Sequence, residues 1–131
     1  MPSAPPEIIQ VYIVDDNESV GFALKNLLMS FDFEVTTFNS AKSFFDSVSK
    51  DDRGCLVLDI HMPEMDGWET LSKIVASGSK RPVIFISAVQ EDITDRALKA
   101  GAVGFLRKPF DGQALVDLIN ATSDNERGSQ K

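Results

Sequence analysis

Residues 55–67 read CLVLDIHMPEMDG, and this stretch decides the fold. Its first four residues are apolar and predict a short strand that is buried on both faces of a sheet, as in parallel α/β proteins. Asp59 follows this strand directly. Because Pro63 cannot continue a strand, the chain turns there toward a helix that begins near Asp66. The Asp59 carboxylate is therefore placed at the rim of a sheet, where functional groups gather in parallel α/β folds.

Strand and helix patterns alternate along the rest of the chain. Besides the strand at 55–58, the predicted strands cover residues 8–14, 33–38, 82–86 and 103–106. The first predicted helix is capped by Asn17 or Ser19, and the others cover 40–48, 66–77, 91–100 and 111–122, with Gly78 and Gly101 ending the third and fourth. Five strand–helix pairs without an internal repeat predict an α/β fold, a doubly wound parallel five-stranded sheet with helices on both faces.

The composition fits a single globular domain. The 131 residues are 43% hydrophobic and 25% charged, which is enough for a substantial core but too few for a second domain. We expect the domain to cover residues 8–122, between a disordered N-terminal tail at 1–7 and a polar tail or linker remnant at 123–131. Cys55, the one cysteine, lies in the apolar strand and predicts a buried structural thiol in a reducing cytosol.

Charge and hydropathy exclude two further roles. The net charge is −7, and because nucleic-acid affinity depends largely on Lys and Arg, we expect no direct nucleic-acid binding. No apolar run approaches the roughly 18 residues of a membrane span. The first residues, MPSAPPE, lack the basic and apolar regions of a signal peptide. We therefore expect a cytoplasmic protein without membrane contact.

Polar side chains follow the ends of four predicted strands. Asp15 and Asp16 come after the first strand, Asp59 after the third, Ser87 after the fourth and Lys108 after the fifth. Because parallel strands have their carboxyl ends at one edge, these five residues should converge there. Singly, each has an ordinary interpretation as a helix-start acid, a turn serine or a surface lysine. Their joint placement favours one functional site.

Three carboxylates at one edge repel one another unless a cation lies between them. An all-oxygen set with few protein ligands suits Mg²⁺, or Mn²⁺ in its place. With its charge screened by the metal, Asp59 can attack a phosphoryl group and form an aspartyl phosphate. Lys108 would then bring positive charge to the phosphoryl oxygens, and Ser87 would donate a hydrogen bond to one of them.

Four segments together resemble the receiver domain of two-component response regulators. They are VDD at 14–16, LDIHMPEMDG at 58–67, ISA at 86–88 and KAGAVGFLRKPF at 99–110, and the match runs from about residue 8 to 122. Within that family the chain resembles the nitrogen-fixation regulator branch, whose receivers usually precede a helix-turn-helix DNA-binding domain. The resemblance implies a flavodoxin-like receiver fold with strand order 2-1-3-4-5.

The resemblance also implies how the acids and the lysine act. Asp59 would be the phosphoacceptor. Mg²⁺ would be held by Asp16, Asp59, the backbone carbonyl of His61 and, mostly through water, Asp15. Asp59 and Lys108 would be the catalytic groups with which the domain assists its own phosphorylation and dephosphorylation. The domain itself would be a signalling module and not an enzyme.

A switch is implied at the neighbouring strands. Ser87 would be the hydroxyl switch that moves toward the phosphoryl group, and Phe105 the aromatic switch that turns into the vacated space. The bond between Lys108 and Pro109 would be cis. The surface of the fourth helix, the fifth strand and the fifth helix would change as a result.

Some positions depart from the commonest pattern of the family. Phe105 stands where many members have Tyr, and Ser87 where Thr is frequent, which removes a methyl group and some rotamer restriction. His61 and Val89 occupy the positions at which the family tunes hydrolysis of the acyl phosphate. We also expect Trp68 to be a helix residue that packs near the site.

The implied partners are a sensor histidine kinase or a histidine phosphotransfer protein as phosphoryl donor, and a downstream effector. We expect weak or phosphorylation-dependent homodimerisation through the face that runs from the fourth to the fifth helix. The fourth helix motivates this expectation because its polar residues leave it little apolar surface to bury; they are Asp92, Thr94, Asp95, Arg96 and Lys99.

Three alternatives are weighed beside the receiver. A pseudo-receiver would signal by contact without being phosphorylated. A phosphatase of the haloacid dehalogenase type also uses an Asp nucleophile, but it needs a second acid two residues later, where this chain has His61. A nucleotide or flavin binder would need a Gly-rich loop after Val14, where the turn reads DDNES.

Overall fold

Five parallel strands form one sheet in the computed structural model, which describes residues 8–128 and their side chains as far as residue 122. The strands are β1 (Gln10–Val14), β2 (Glu34–Phe38), β3 (Cys55–Asp59), β4 (Val83–Ser87) and β5 (Gly104–Arg107). Their order across the sheet is β2-β1-β3-β4-β5, and every neighbouring pair is parallel. The predicted α/β fold and its strand order are confirmed.

Helices cover both faces of the sheet. They are α1 (Glu18–Met29), α2 (Ala41–Ser47), α3 (Gly67–Ala76), α4 (Thr94–Ala100) and α5 (Gly112–Gly128). Because side chains alternate along a strand, each strand feeds two separate cores. Val11 and Ile13 of β1 pack in a core with α1 and α5, and Tyr12 and Val14 pack in a core with α2, α3 and α4. Cys55 is buried in β3, as predicted.

Side-chain caps fix where three helices begin. The Asn17 side chain accepts hydrogen bonds from the backbone N–H groups of Ser19 and Val20, so Asn17 is the cap of α1. Ser40 caps α2 and Asp66 caps α3 in the same way. A glycine marks where α4 ends. Gly101, which follows the last residue of α4, has a φ of 113°, a left-handed conformation that glycine adopts at no steric cost.

Two element starts differ from the prediction by more than one residue. α4 begins at Thr94 and not at residue 91. The Asp92 carboxylate accepts hydrogen bonds from the Thr94 hydroxyl at 2.6 Å and the Thr94 backbone N–H at 2.9 Å, which holds the preceding residues in a turn. These hydrogen bonds lower the pKa of Asp92. β1 begins at Gln10 and not at residue 8, and the Ile8 side chain is exposed.

The last helix is longer than predicted. α5 continues to Gly128, so the prediction that this helix ends at about residue 122 is wrong. The sequence there, SDNERG, contains no proline, and polar residues can extend a helix that is already formed. The predicted disordered tail at 1–7 and the final residues 129–131 lie outside the described residues. Within 8–128, no helix has both the length and the apolar character needed to cross a membrane.

Arg81 ties together the edge of the sheet at which the strands begin. Its guanidinium donates hydrogen bonds to the backbone carbonyls of Ser49 at 2.9 Å and Gly54 at 3.1 Å. It also lies 5.1 Å from the ring centroid of Tyr12 and 5.6 Å from that of Phe44. Arg81 therefore holds the turn between α2 and β3 against the aromatic side chains of the core.

We expect Arg81→Ala to lower the free energy of unfolding by about 2 kcal/mol, because two backbone carbonyls lose a charged donor and two rings lose a cation. The matched control is Lys80→Ala, which removes the same charge from an exposed neighbour and should stay within about 0.5 kcal/mol of the unaltered protein. Urea unfolding followed by Trp68 fluorescence measures both. Equal losses in the two variants would contradict this role for Arg81.

Candidate functional site

Three carboxylates meet where β1 and β3 end. Asp59 is the last residue of β3, and Asp15 and Asp16 follow β1. Oxygen atoms from the three side chains lie within 4.8 Å of one another. Asp15 is 2% exposed and Asp59 5% exposed, whereas Asp16 is open to solvent. The fold thus brings together the three acids that the strand pattern placed at this edge.

Fixed hydrogen-bond donors hold the two buried carboxylates. The Lys108 ammonium lies 3.0 Å from Asp15 Oδ2 and 3.8 Å from Asp59 Oδ1. The other Asp15 oxygen accepts a hydrogen bond from the Asn17 backbone N–H at 2.9 Å. Asp59 Oδ1 accepts one from the His61 backbone N–H at 3.4 Å, while the His61 side chain is exposed. Lys108 is therefore paired first with Asp15 and only second with Asp59.

The electrostatics of this cluster favour a cation. The pKa of Asp59 is raised to about 6, first because burial penalises its charged form and next because Asp15 repels it. The charge of Lys108 and the hydrogen bond from His61 lower the pKa but do not cancel these effects. The donor set consists of carboxylate oxygens, one of them at the surface, which suits an Mg²⁺ or Mn²⁺ ion that keeps part of its water shell. These residues therefore fit the predicted metal.

Ser87 and Lys108 come to the site from neighbouring strands. Ser87 is the last residue of β4 and is fully buried, and its hydroxyl oxygen accepts a hydrogen bond from the Val89 backbone N–H at 3.3 Å. The backbone N–H of Lys108 donates to the Ser87 carbonyl at 2.7 Å, which joins the ends of β4 and β5. The bond between Lys108 and Pro109 is cis, as the family resemblance implies.

Phe105 lies on β5 opposite Phe85 of β4 in the strand register. Its side chain is half-buried and packs against the core formed with α2, α3 and α4, in which Phe85 is fully buried. Trp68, at the start of α3, packs edge-on against Phe85 with ring centroids 4.8 Å apart. Trp68 thus packs near the site, as predicted.

Two contributors to the site were not assigned from the sequence. The Asn17 backbone N–H orients Asp15, although only the capping role of the Asn17 side chain was predicted. Gly67 lies so close to Asp59 that a Cβ atom there would come within 2.9 Å of the Asp59 carbonyl oxygen and 2.7 Å of the Ile60 Cα. A glycine in the first turn of an amphipathic helix was the signal that could have indicated this close approach.

Fold and site define a class of protein: a parallel α/β domain that carries an acidic cluster and a lysine at the carboxyl ends of its strands. Residues 11–120 match the response regulator receiver domain family. Because this match covers most of the chain, the protein belongs to that family of two-component signalling domains.

Curated relatives support this assignment. The response regulator protein TodT of Pseudomonas putida is 39% identical over 112 residues, which are 85% of this chain and 49% of TodT. The transcriptional regulatory protein FixJ of Azorhizobium caulinodans is 36% identical over 129 residues, which are 96% of this chain and 61% of FixJ. The chain spans about half the length of the curated relatives that it matches.

Solved structures agree with the fold. The response regulator StyR has a TM-score of 0.80 and 42% identity, over 95% of this chain and 66% of that chain. FixJ-N has a TM-score of 0.82 and 33% identity, over 90% of this chain and 95% of that chain. The predicted resemblance to receivers, including those of the nitrogen-fixation regulator branch, is confirmed.

The raised pKa of Asp59 predicts how the stability of the metal-free domain depends on pH. The folded state binds the Asp59 proton more tightly than the unfolded chain, in which the pKa is 3.8. Asp59 therefore costs no stability below about pH 4, and its cost grows between about pH 4 and pH 6 and stays constant above that range. We expect Asp59→Asn to be more stable than the unaltered protein by roughly 2 kcal/mol at pH 7.5, a difference that disappears toward pH 4.

Urea unfolding in the presence of a chelator measures this difference at each pH. Asp51→Asn is the control, since it removes an exposed acid remote from the cluster. If the difference in the free energy of unfolding between Asp59→Asn and the unaltered protein does not change with pH, Asp59 titrates normally.

Proposed function

We propose that this domain accepts a phosphoryl group on Asp59 and passes the resulting change to a surface formed by α4, β5 and α5. The observation that carries the proposal is the burial of Asp15 and Asp59 side by side, next to the Lys108 ammonium, at the carboxyl ends of the strands. Without a function, such a pair would only cost folding free energy. Membership of the two-component family supports a sensor histidine kinase or a histidine phosphotransfer protein as the donor.

In the proposed reaction, an Asp59 carboxylate oxygen attacks the phosphorus atom of the donor's phosphohistidine. An O–P bond forms as the P–N bond of the donor breaks, and the donor's imidazole leaves with the electron pair. Mg²⁺ or Mn²⁺ held by Asp16, Asp59, the His61 backbone carbonyl and, mostly through water, Asp15 would supply the positive charge that favours ionised Asp59 and the phosphoryl oxygens. The His61 backbone N–H keeps the attacking carboxylate oriented.

Lys108 and Ser87 respond to the new group. The Lys108 ammonium, now shared between Asp15 and Asp59, would pair with a phosphoryl oxygen. The Ser87 hydroxyl would turn from the Val89 backbone N–H and donate to another phosphoryl oxygen. Through these contacts Asp59 and Lys108 assist both formation and hydrolysis of the acyl phosphate, whose lifetime His61 and Val89 tune.

Phe105 would carry the change toward the surface. It is half-buried beside Phe85, so it can turn further inward when Ser87 moves toward the phosphoryl group. With no hydroxyl group, Phe105 loses no hydration on turning inward and makes no hydroxyl hydrogen bond when it points outward. The inactive conformation is therefore less favoured than it would be with a tyrosine.

The proposed output is a protein contact. Ala97 is the buried residue of α4, and the Leu98 side chain on the same helix is 48% exposed. We propose that phosphorylated domains form homodimers through α4, β5 and α5. The names and lengths of relatives such as FixJ favour a downstream DNA-binding effector in a longer protein, with residues from 123 onward as linker. The domain itself, with its negative charge, would not contact DNA, and it would act in the cytoplasm away from membranes.

The central prediction concerns Asp59. Incubation with Mg²⁺ and acetyl phosphate should add one phosphoryl group to the protein, because the cation relieves the repulsion at the acceptor. The measurement is intact mass. Asp59→Asn should give no adduct, Asp51→Asn should give the normal adduct, and omission of Mg²⁺ should abolish it. An adduct that persists in Asp59→Asn would refute this acceptor, and failure to bind either acetyl phosphate or beryllofluoride would favour the pseudo-receiver.

A second prediction concerns association. Sedimentation of the Mg²⁺-loaded domain should show a monomer without beryllofluoride and a shift toward dimer with it, because the analogue mimics the phosphoryl group. Leu98→Ser should weaken this shift, since the variant removes an exposed apolar side chain from the proposed interface. Val75→Ser is the control, because Val75 is equally exposed but lies on α3. One unchanged monomer under both conditions would rule out the dimer.

A further inference from the structure

A cation and an aromatic ring join α3 to α4. The guanidinium carbon of Arg96, on α4, lies 3.9 Å from the ring centroid of Trp68, on α3. This distance is well inside the range of a favourable cation–π contact. The Trp68 ring also packs against Phe85, at an angle of 68° between the ring planes. Trp68 is thus held between the sheet and α4.

Phe85 connects this contact to the functional site. It lies on β4 two residues before Ser87, so both side chains project from the same face of the sheet. It is fully buried and pairs in register with Phe105 on β5. The rings of Phe85 and Trp68 therefore connect two groups. Ser87 and Phe105 of the site are on one side, and the Arg96 side chain is on the other.

α4 depends on such contacts for its position. It contains seven residues, and at its start Ile93 offers no side-chain cap, so that the Asp92 carboxylate, which accepts from the Thr94 backbone N–H, is the side-chain acceptor there. A helix of this length is not stable on its own and relies on packing against the rest of the domain. Its apolar anchors among the described side chains are Ala97, which is fully buried, and Ile93, which directly precedes it. The contact of Arg96 with Trp68 adds to these anchors and links α4 to α3.

The segment that leads into α4 begins at the site. The Val89 backbone N–H donates to the Ser87 hydroxyl oxygen at 3.3 Å, which fixes the start of the connection from β4 to α4. A Ser87 hydroxyl that turns toward a phosphoryl group gives up this hydrogen bond. The connection is then free to move, and the contact between Arg96 and Trp68 opposes the movement of α4 that would follow.

We propose that Arg96 and Trp68 form a latch that holds α4 in its unphosphorylated position and opens when Asp59 is phosphorylated. This inference rests on the proposed function of Asp59. An interaction that is made in only one of two conformations biases the equilibrium toward that conformation, and its removal favours the other. Loss of Arg96 therefore makes the domain bind a phosphoryl analogue more tightly.

The test is a titration of the Mg²⁺-loaded domain with beryllofluoride, measured by calorimetry and by Trp68 emission. Arg96→Ala binds tighter by about two- to five-fold, the size of a partly exposed cation–π contact. Lys99→Ala, which removes the same charge from the same helix, binds like the unaltered protein. Arg96→Lys falls between them, because an ammonium keeps the charge but lacks the planar stacking surface.

Trp68 emission reports the opening itself. In the unaltered protein it changes on saturation with beryllofluoride because the guanidinium leaves the ring, and in Arg96→Ala most of this change is absent. The latch is refuted if Arg96→Ala binds beryllofluoride no more tightly than the unaltered protein. It is also refuted if Lys99→Ala tightens this binding as much as Arg96→Ala does. If Asp59 is phosphorylated normally in that case, the proposed function stands and the latch alone fails; if Asp59 takes no phosphoryl group and beryllofluoride does not bind, both fail.

Discussion

Repulsion between the carboxylates of Asp15 and Asp59 is the constraint on which the site depends. Pairing of β1 with β3 places Val14 beside Leu58, so the acids that follow these residues cannot move apart without breaking the sheet. Both acids are buried, and the charge of Asp15 makes ionisation of Asp59 more costly. The folded chain therefore holds negative charge that only a cation or a proton can relieve. The proposed binding of a metal and the proposed reactivity of Asp59 both depend on this one arrangement.

Strand β5 contributes side chains to both cores of the domain. Phe105 packs into the core shared with α2, α3 and α4, while the next residue, Leu106, packs against the core shared with α1 and α5. A movement of β5 at the end near Lys108 would therefore displace packed side chains on both faces of the sheet. This gives a physical basis for the proposed joint change of α4 and α5, which belong to different cores.

Much of the site could be predicted from the sequence because parallel strands impose a simple rule: residues that follow strand ends lie at one edge. Asp15, Asp59 and Lys108 were placed by that rule alone, whereas the strand order came from the family resemblance. The closer pairing of Lys108 with Asp15 was not predictable, since it depends on side-chain distances that strand patterns do not encode. The stacking of Arg96 on Trp68 joins residues 28 positions apart, and neither local periodicity nor spacing contains a signal for it.

Arg81 and the groups that it contacts lie at the opposite edge of the sheet from Asp59. Its hydrogen bonds to the Ser49 and Gly54 carbonyls stabilise the domain without involving any residue of the acidic cluster. The contacts of Arg81 that stabilise the domain and the residues of the candidate site therefore lie at opposite ends of the strands. Such a division means that substitutions around Asp59, the proposed acceptor, leave the contacts of Arg81 intact, so the fold tolerates them.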